Sequence, residues 1–247
     1  MKFTFLPILD ELILFYQQDR KRERFYDYLN RIIDEQGELK RPLPLLNPMA
    51  KDHILDCLED LKTLKVEEHL QDCIHQINQE IDSFAFPDFK ICFILADDWK
   101  GGWTNRYSTD YSNTFQSKGL LKRRFCTPIF WTSETYSAQL IKTRSLACMW
   151  RTLFQLQHQW PQTLEEHIRQ EAFVQQKLGS EAPKLEEEEL FCIYSIYEEL
   201  KKKTDRSILI PFLYGDQAAK ELGYSEIGAF DFMGFQLAAS LVEEKPQ

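Results

Sequence analysis

Residue types that could do chemistry are concentrated in one stretch of this 247-residue chain, residues 97–115. Asp97, Asp98 and Asp110 are carboxylates that can take or give a proton, and Tyr107 is a donor, so these four are the candidate catalytic residues. Arg106 could grip a carboxylate or phosphate through two parallel hydrogen bonds. Asn105 could fix a ligand's orientation and Trp103 could wall it. Gly101 and Gly102 allow unusual backbone angles or close approach of a ligand. A rival reading uses the same stretch without catalysis: Trp99, Trp103 and Tyr107 would anchor a protein partner, since Trp, Tyr and Arg dominate interface hot spots.

Two further arginines join the ligand-binding candidates. Arg144 and Arg151 are seven residues apart on one face of a predicted helix, with Glu134 in its first turn. If that helix packs behind the loop, both reach the same cleft. A metal site is not expected. Adjacent strand residues point to opposite faces, so Asp97 and Asp98 would not share a cation while the strand continues. His167 and Glu171 stand four apart, but no H-E-x-x-H motif and no third ligand accompany them, and they read as an exposed polar pair. His158 reads as the end of a helix. His53, His69 and His75 fall on polar faces of early helices or near their apolar stripes. No phosphate-cradling glycine motif, G-x-S-x-G elbow or kinase signature is present, and no cofactor is implied.

The elements that must position this stretch follow from periodicity. Apolar residues at helical spacing predict a helix over about 7–35, a second starting at Asn47-Pro48, and a third carrying Val66, Leu70, Cys73, Ile74, Ile77 and Ile81. The pattern changes at Pro87. The apolar run 89–95 predicts a buried strand that ends where Asp97 begins, and loops at the carboxyl ends of buried strands are common binding positions. Residues 125–131 and 208–213 predict two more strands, with Pro128 and Pro211 suggesting edges or bulges. A long helix capped by Ser133 runs to about His158. The capping box at Thr163–Glu166 starts another, which Gly179 stops. Glu186–Glu189 begin and Lys201–Lys203 end the next, and an apolar helix starts near Glu226. The expected architecture is α+β and predominantly helical, with a sheet of about three strands. It is one domain, 1–247, with a helical layer over about 1–84 and an α+β portion over about 85–247.

Composition narrows the function classes. The chain is 43% hydrophobic, 28% charged, and −9 in net charge with a pI of about 5.2. That balance disfavours nucleic acid and anionic lipid as partners. Residues 97–124 nevertheless hold six basic groups against three acidic ones. A local cationic surface on an acidic protein suits a small anionic ligand. The apolar run 3–9 is interrupted at once by Asp10 and Glu11 and lacks a cleavage site, so a leader peptide is not expected. Six scattered cysteines without a C-x-x-C pair read as reduced core thiols, which makes the expected location cytoplasmic. One run, Ala218 to Ser225 followed by Phe230, resembles part of the helix-turn-helix of arabinose-regulator-type transcription factors. Its would-be reading helix carries Glu226 and Asp231 and no Lys or Arg before Lys245, so it lacks the side chains that read bases. The expectation is therefore a small anionic or polar ligand bound, or acted on, in a cleft around 97–115.

Overall fold

The computed structural model describes residues 1–33, 35, 37, 40–42, 45–81, 86–99, 104–179 and 185–243. The elements run β1 (Phe3–Phe5), α1 (Leu9–Tyr16), α2 (Arg22–Ile32), α3 (His53–Thr63), α4 (Val66–Glu80), β2 (Phe89–Ile91), β3 (Ile94–Ala96), α5 (Arg106–Phe115) and α6 (Lys118–Lys122). They continue with β4 (Phe125–Cys126), β5 (Ile129–Trp131), α7 (Ala138–Gln157), α8 (Leu164–Leu178), α9 (Glu187–Leu200), α10 (Arg206–Tyr214), α11 (Asp216–Leu222) and α12 (Met233–Glu243). The fold is α+β and predominantly helical, with a small parallel sheet. The chain divides into two compact units: residues 1–106 with 117–149, and residues 107–116 with 150–247. No helix of the described residues is long and apolar enough to cross a membrane.

The first unit is built on parallel strands. β1 pairs with β2 (Phe3 opposite Phe89), β2 with β4 (Ile91 opposite Cys126), and β3 with β5 (Ala96 opposite Trp131). The run 89–96 makes both β2 and β3, broken at Cys92-Phe93, and the run 125–131 makes both β4 and β5, broken at Thr127-Pro128. Across the second break the Ile94 amide donates to the Pro128 carbonyl at 2.9 Å, so the ladder continues past the proline. β3, β4 and β5 are apolar on both faces because both faces are covered, whereas Thr4 of β1 and Lys90 of β2 are exposed. Phe93, Leu95 and Phe130 pack with Ile8, Leu12, Phe15, Ile54 and Leu58 from the helices, while Ile94, Ala96, Ile129 and Trp131 form a separate cluster.

Several boundaries differ from those expected. The long helix over 7–35 is two helices, α1 and α2, because the polar run 17–21 between them offers nothing to bury. The expected helix start at Asn47 is moved to His53: the Asn47 side chain accepts from the Met49 amide in a short turn and spends its own amide group elsewhere. α7 begins at Ala138, not Ser133, with the Ser137 hydroxyl accepting from the Leu140 amide, so Glu134 lies ahead of the helix. Residues 106–115 are helix and not loop.

The second unit is helical. Residues 208–213, expected as a strand, lie in α10, where Leu209, Ile210, Phe212 and Leu213 are all buried. An apolar run without periodicity suits a helix buried on every side as well as a strand. α12 starts at Met233 and not near Glu226, after left-handed residues at Gly228 and Phe232 break the chain direction. The core joins Tyr111 and Phe115 of α5, Leu164 and Ile168 of α8, α10, and Met233 and Leu237 of α12. The capping box expected at α8 is present, and α9, whose acidic start was expected, has one as well.

Candidate functional site

The carboxyl ends of β3 and β5 lie side by side in the first unit, and the segments that leave them carry the polar residues. After β3 come Asp97 and Asp98; after β5 come Thr132, Ser133 and Glu134. The Thr132 amide still donates to the Ala96 carbonyl at 3.1 Å, which holds the two departing segments in register.

Asp97 is 2% exposed and is surrounded by donors. Asn47 donates its amide group to Oδ2 at 2.8 Å, the Thr132 hydroxyl reaches Oδ1 at 3.2 Å, and the Trp99 amide reaches Oδ1 at 3.4 Å. His53 Nε2 stands 3.0 Å from Oδ1. Burial pushes the Asp97 carboxyl up, but the hydrogen bonds from His53 and Asn47 outweigh it, and its pKa is lowered overall. An ionised carboxylate can only accept, so His53 Nε2 is the donor and the lone pair of a neutral ring is on Nδ1. The His53 side chain is 28% exposed, and Asp97 supplies its one side-chain hydrogen bond among the described residues. The indole of Trp99, itself 51% exposed, stands with its centroid 6.2 Å from the imidazole. Behind Asn47, the buried Tyr16 hydroxyl donates to the Asn47 carbonyl at 2.8 Å.

Asp98 and Glu134 form an adjoining ionic cluster. Asp98 accepts from the Ser133 amide at 3.0 Å and hydroxyl at 2.7 Å, and its Oδ1 stands 3.1 Å from the Thr132 hydroxyl, whose one proton the two aspartates share. Glu134 lies between two guanidinium groups. Arg106 reaches Oε1 at 2.6 Å; Arg144 reaches Oε2 at 2.5 Å and Oε1 at 2.8 Å, and also donates to the Ile129 carbonyl at 3.0 Å. Arg106 further donates to the Ser133 hydroxyl at 3.2 Å and lies 3.8 Å from Asp98. The chain matches no protein-family model, and no curated protein and no solved structure matches it. The site is therefore argued from its own geometry.

Of the residues singled out in the sequence, Asp97, Asp98, Arg106 and Arg144 come together here. Asn105 is exposed, and Trp103 lies outside the described residues, as do Gly101 and Gly102. Tyr107, Asp110 and Arg151 belong to the second unit. There Asp110 accepts from the Tyr214 hydroxyl at 2.7 Å, the Tyr107 and Tyr214 rings pack at 6.0 Å, and Arg151 pairs with Glu171 at 2.7 Å. His167 and Glu171 are not the exposed pair expected: they are 1% and 0% exposed. The Nδ1 of His167 faces the Thr163 carbonyl at 2.7 Å and must donate, so Nε2 accepts from the Tyr111 hydroxyl at 3.1 Å.

The basic surplus of residues 97–124 is not at this site. Lys118, Lys122, Arg123 and Arg124 are exposed on and after α6, at the amino end of β4, while the carboxylates gather at the carboxyl ends of β3 and β5. Locally, three carboxylates face two guanidinium groups. His53 and Asn47 were missed from the sequence. Their separation from Asp97, 44 and 50 positions, follows no motif spacing. The one local signal was a polar Asn-Pro turn placed just before an apolar helix.

Proposed function

We propose that the first unit binds a small polar or anionic molecule at the carboxyl edge of its parallel sheet and acts on it through His53, with Asp97 as the orienting carboxylate. The observation that carries the reading is the His53–Asp97 pair. A buried, ionised carboxylate fixes the imidazole's tautomer, and the lone-pair nitrogen of a partly exposed ring is left as the base. The position agrees with where open parallel sheets hold ligands. Trp99 offers a flat apolar surface beside the imidazole. Arg106 is held by Glu134, so its part in binding an anion is secondary to its part in ordering Ser133 and Glu134. The six thiols, none in a disulfide, accord with a cytoplasmic location, which belongs to the same proposal.

A thermal-shift screen of carboxylates, phosphates, amino acids and sugars tests this reading. The expected result is a ligand whose affinity falls at least about tenfold in both His53→Ala and Asp97→Asn, as loss of a hydrogen-bonded charged contact requires. A ligand bound equally by wild type and both variants would place the site elsewhere. The exposure of Trp99 favours a second reading, an anchor for a protein partner. In that case Trp99→Ala would weaken partner capture while His53→Ala would not.

A further inference from the structure

Away from the carboxylates, the first unit brings two sulfur atoms together. Cys126 ends β4 and Cys148 lies in the last part of α7 that belongs to this unit. Their Sγ atoms are 3.4 Å apart, within hydrogen-bonding distance and not joined as a disulfide. We infer that Cys126 and Cys148 are a peroxide-sensitive dithiol that closes reversibly to a disulfide.

The geometry asks for little movement. A disulfide has its sulfurs at about 2.05 Å, so closure needs an approach of a little over an ångström, shared between one helix and one short strand. The two cysteines also differ in the way a sensing pair requires. Cys148 is half-buried and within reach of a small oxidant, whereas Cys126 is 2% exposed. Cys148 is thus the attacking thiol and Cys126 the resolving one.

The chemistry balances with hydrogen peroxide as oxidant. The Cys148 thiolate attacks one peroxide oxygen, the O–O bond breaks, and hydroxide leaves as water after taking a proton, giving a sulfenic acid. The Cys126 sulfur then attacks the Cys148 sulfur, the S–O bond breaks, and a second water leaves. The two thiols are oxidised by two electrons and one peroxide is reduced to two waters. Cys192 is exposed too, but it belongs to the second unit and has no cysteine beside it among the described residues to resolve an oxidised sulfur, and the three buried or half-buried thiols compete poorly. Burial pushes the Cys92 thiol up to about 12 and the Cys73 thiol up to about 11, and burial raises Cys57 as well, so all three are held protonated.

The pair is placed to influence the rest of the unit. One turn before Cys148 on α7, Arg144 holds the Ile129 carbonyl and Glu134. The same helix and the same strand run therefore touch at two points, Cys148 on Cys126 and Arg144 on Ile129. Closing the first tethers the helix that carries the second.

The test uses the full chain, reduced and desalted without air, then treated with a small excess of hydrogen peroxide, denatured and alkylated with N-ethylmaleimide. Intact mass should show the loss of two of the six adducts, peptide mapping should join Cys126 to Cys148, and dithiothreitol should restore all six. In Cys126→Ser the reaction should stop at a Cys148 sulfenic acid that dimedone traps. Phenylarsine oxide, which condenses with two neighbouring thiols, should load one equivalent on untreated wild type and protect the same two cysteines. A bridge between any other pair overturns the inference. So does over-oxidation of Cys148 with Cys126 still alkylated, or failure to take up the arsenical.

Discussion

Replacing Glu134 by glutamine tests whether this carboxylate is the centre of the ionic cluster. The change keeps the side chain's length and one acceptor oxygen, removes the charge, and turns an amide group toward two guanidinium groups. Three charge-assisted bonds are affected, one from Arg106 and two from Arg144. Breaking a fully buried pair costs roughly 3–5 kcal/mol. Here Glu134 is 10% exposed but Arg106 and Arg144 are 31% and 24% exposed, so water recovers part of their solvation. Arg144 also keeps the Ile129 carbonyl, and Arg106 keeps the Ser133 hydroxyl. The discounted cost is about 2 kcal/mol, which for a chain of this size lowers Tm by roughly 4–8 °C. Arg106→Ala should cost less, about 1 kcal/mol, because Arg144 still holds Glu134 through two bonds. The assay is paired urea and thermal unfolding followed by tryptophan fluorescence, with m unchanged as the check that only stability moved. A Tm change under about 1 °C for Glu134→Gln, or a larger loss for Arg106→Ala than for Glu134→Gln, would refute the assignment of Glu134 as the hub.

The acid limb should depend on Asp97. Its folded pKa is lowered, so its stabilisation is complete above the unfolded value near 3.9 and is lost as pH falls through the folded one. Asp97→Asn should therefore be less stable at neutral pH yet show a shallower decline between about pH 5 and 2 in urea midpoints; parallel curves would mean that the carboxylate does not titrate with folding. His167 acts at higher pH. Burial lowers its pKa, so the unfolded state binds the proton first, and stability is lost as pH falls through about 6.5 toward the folded value. His167→Gln should flatten the stability profile of wild type between about pH 7 and 5, and an unchanged slope would show that the ring binds its proton equally in the folded and unfolded states.

The sheet was legible where the chain is apolar on both faces. Residues 89–95 and 125–131 read as strands because Ile94 and Leu95, and Ile129, Phe130 and Trp131 likewise, have no side facing water. The same rule misled at 208–213, since a helix surrounded by its own unit's core is apolar all round as well. β1 was hidden because three residues are too few to show alternation. In the candidate site, Asp97, Asp98 and Arg106 were readable as polar residues clustered where a buried strand ends. The residues that give Asp97 its character were not, because Asn47 and His53 reach it through folding alone. His167 and Glu171 looked exposed because their helix spacing is that of a surface pair, while their burial is set by Tyr111 and Arg151 from other helices.

The interleaving of the two units has a consequence for how the nascent chain matures. The first unit draws on residues 1–106 and 117–149, so its last helix segment must leave the ribosome before its sheet is covered. By then residues 107–116 have already been made, and they carry Tyr111 and Phe115, whose partners Leu164, Ile168 and Leu209 have not. Those two aromatic side chains wait through the synthesis of some fifty residues, β4, β5 and α7 among them, before they can be buried. A chain halted after residue 149 would hold every residue of the first unit and yet display an unpaired aromatic turn in its middle. Such a stalled product should attract chaperones that bind exposed apolar segments, and no single cut in the gene can yield either unit alone.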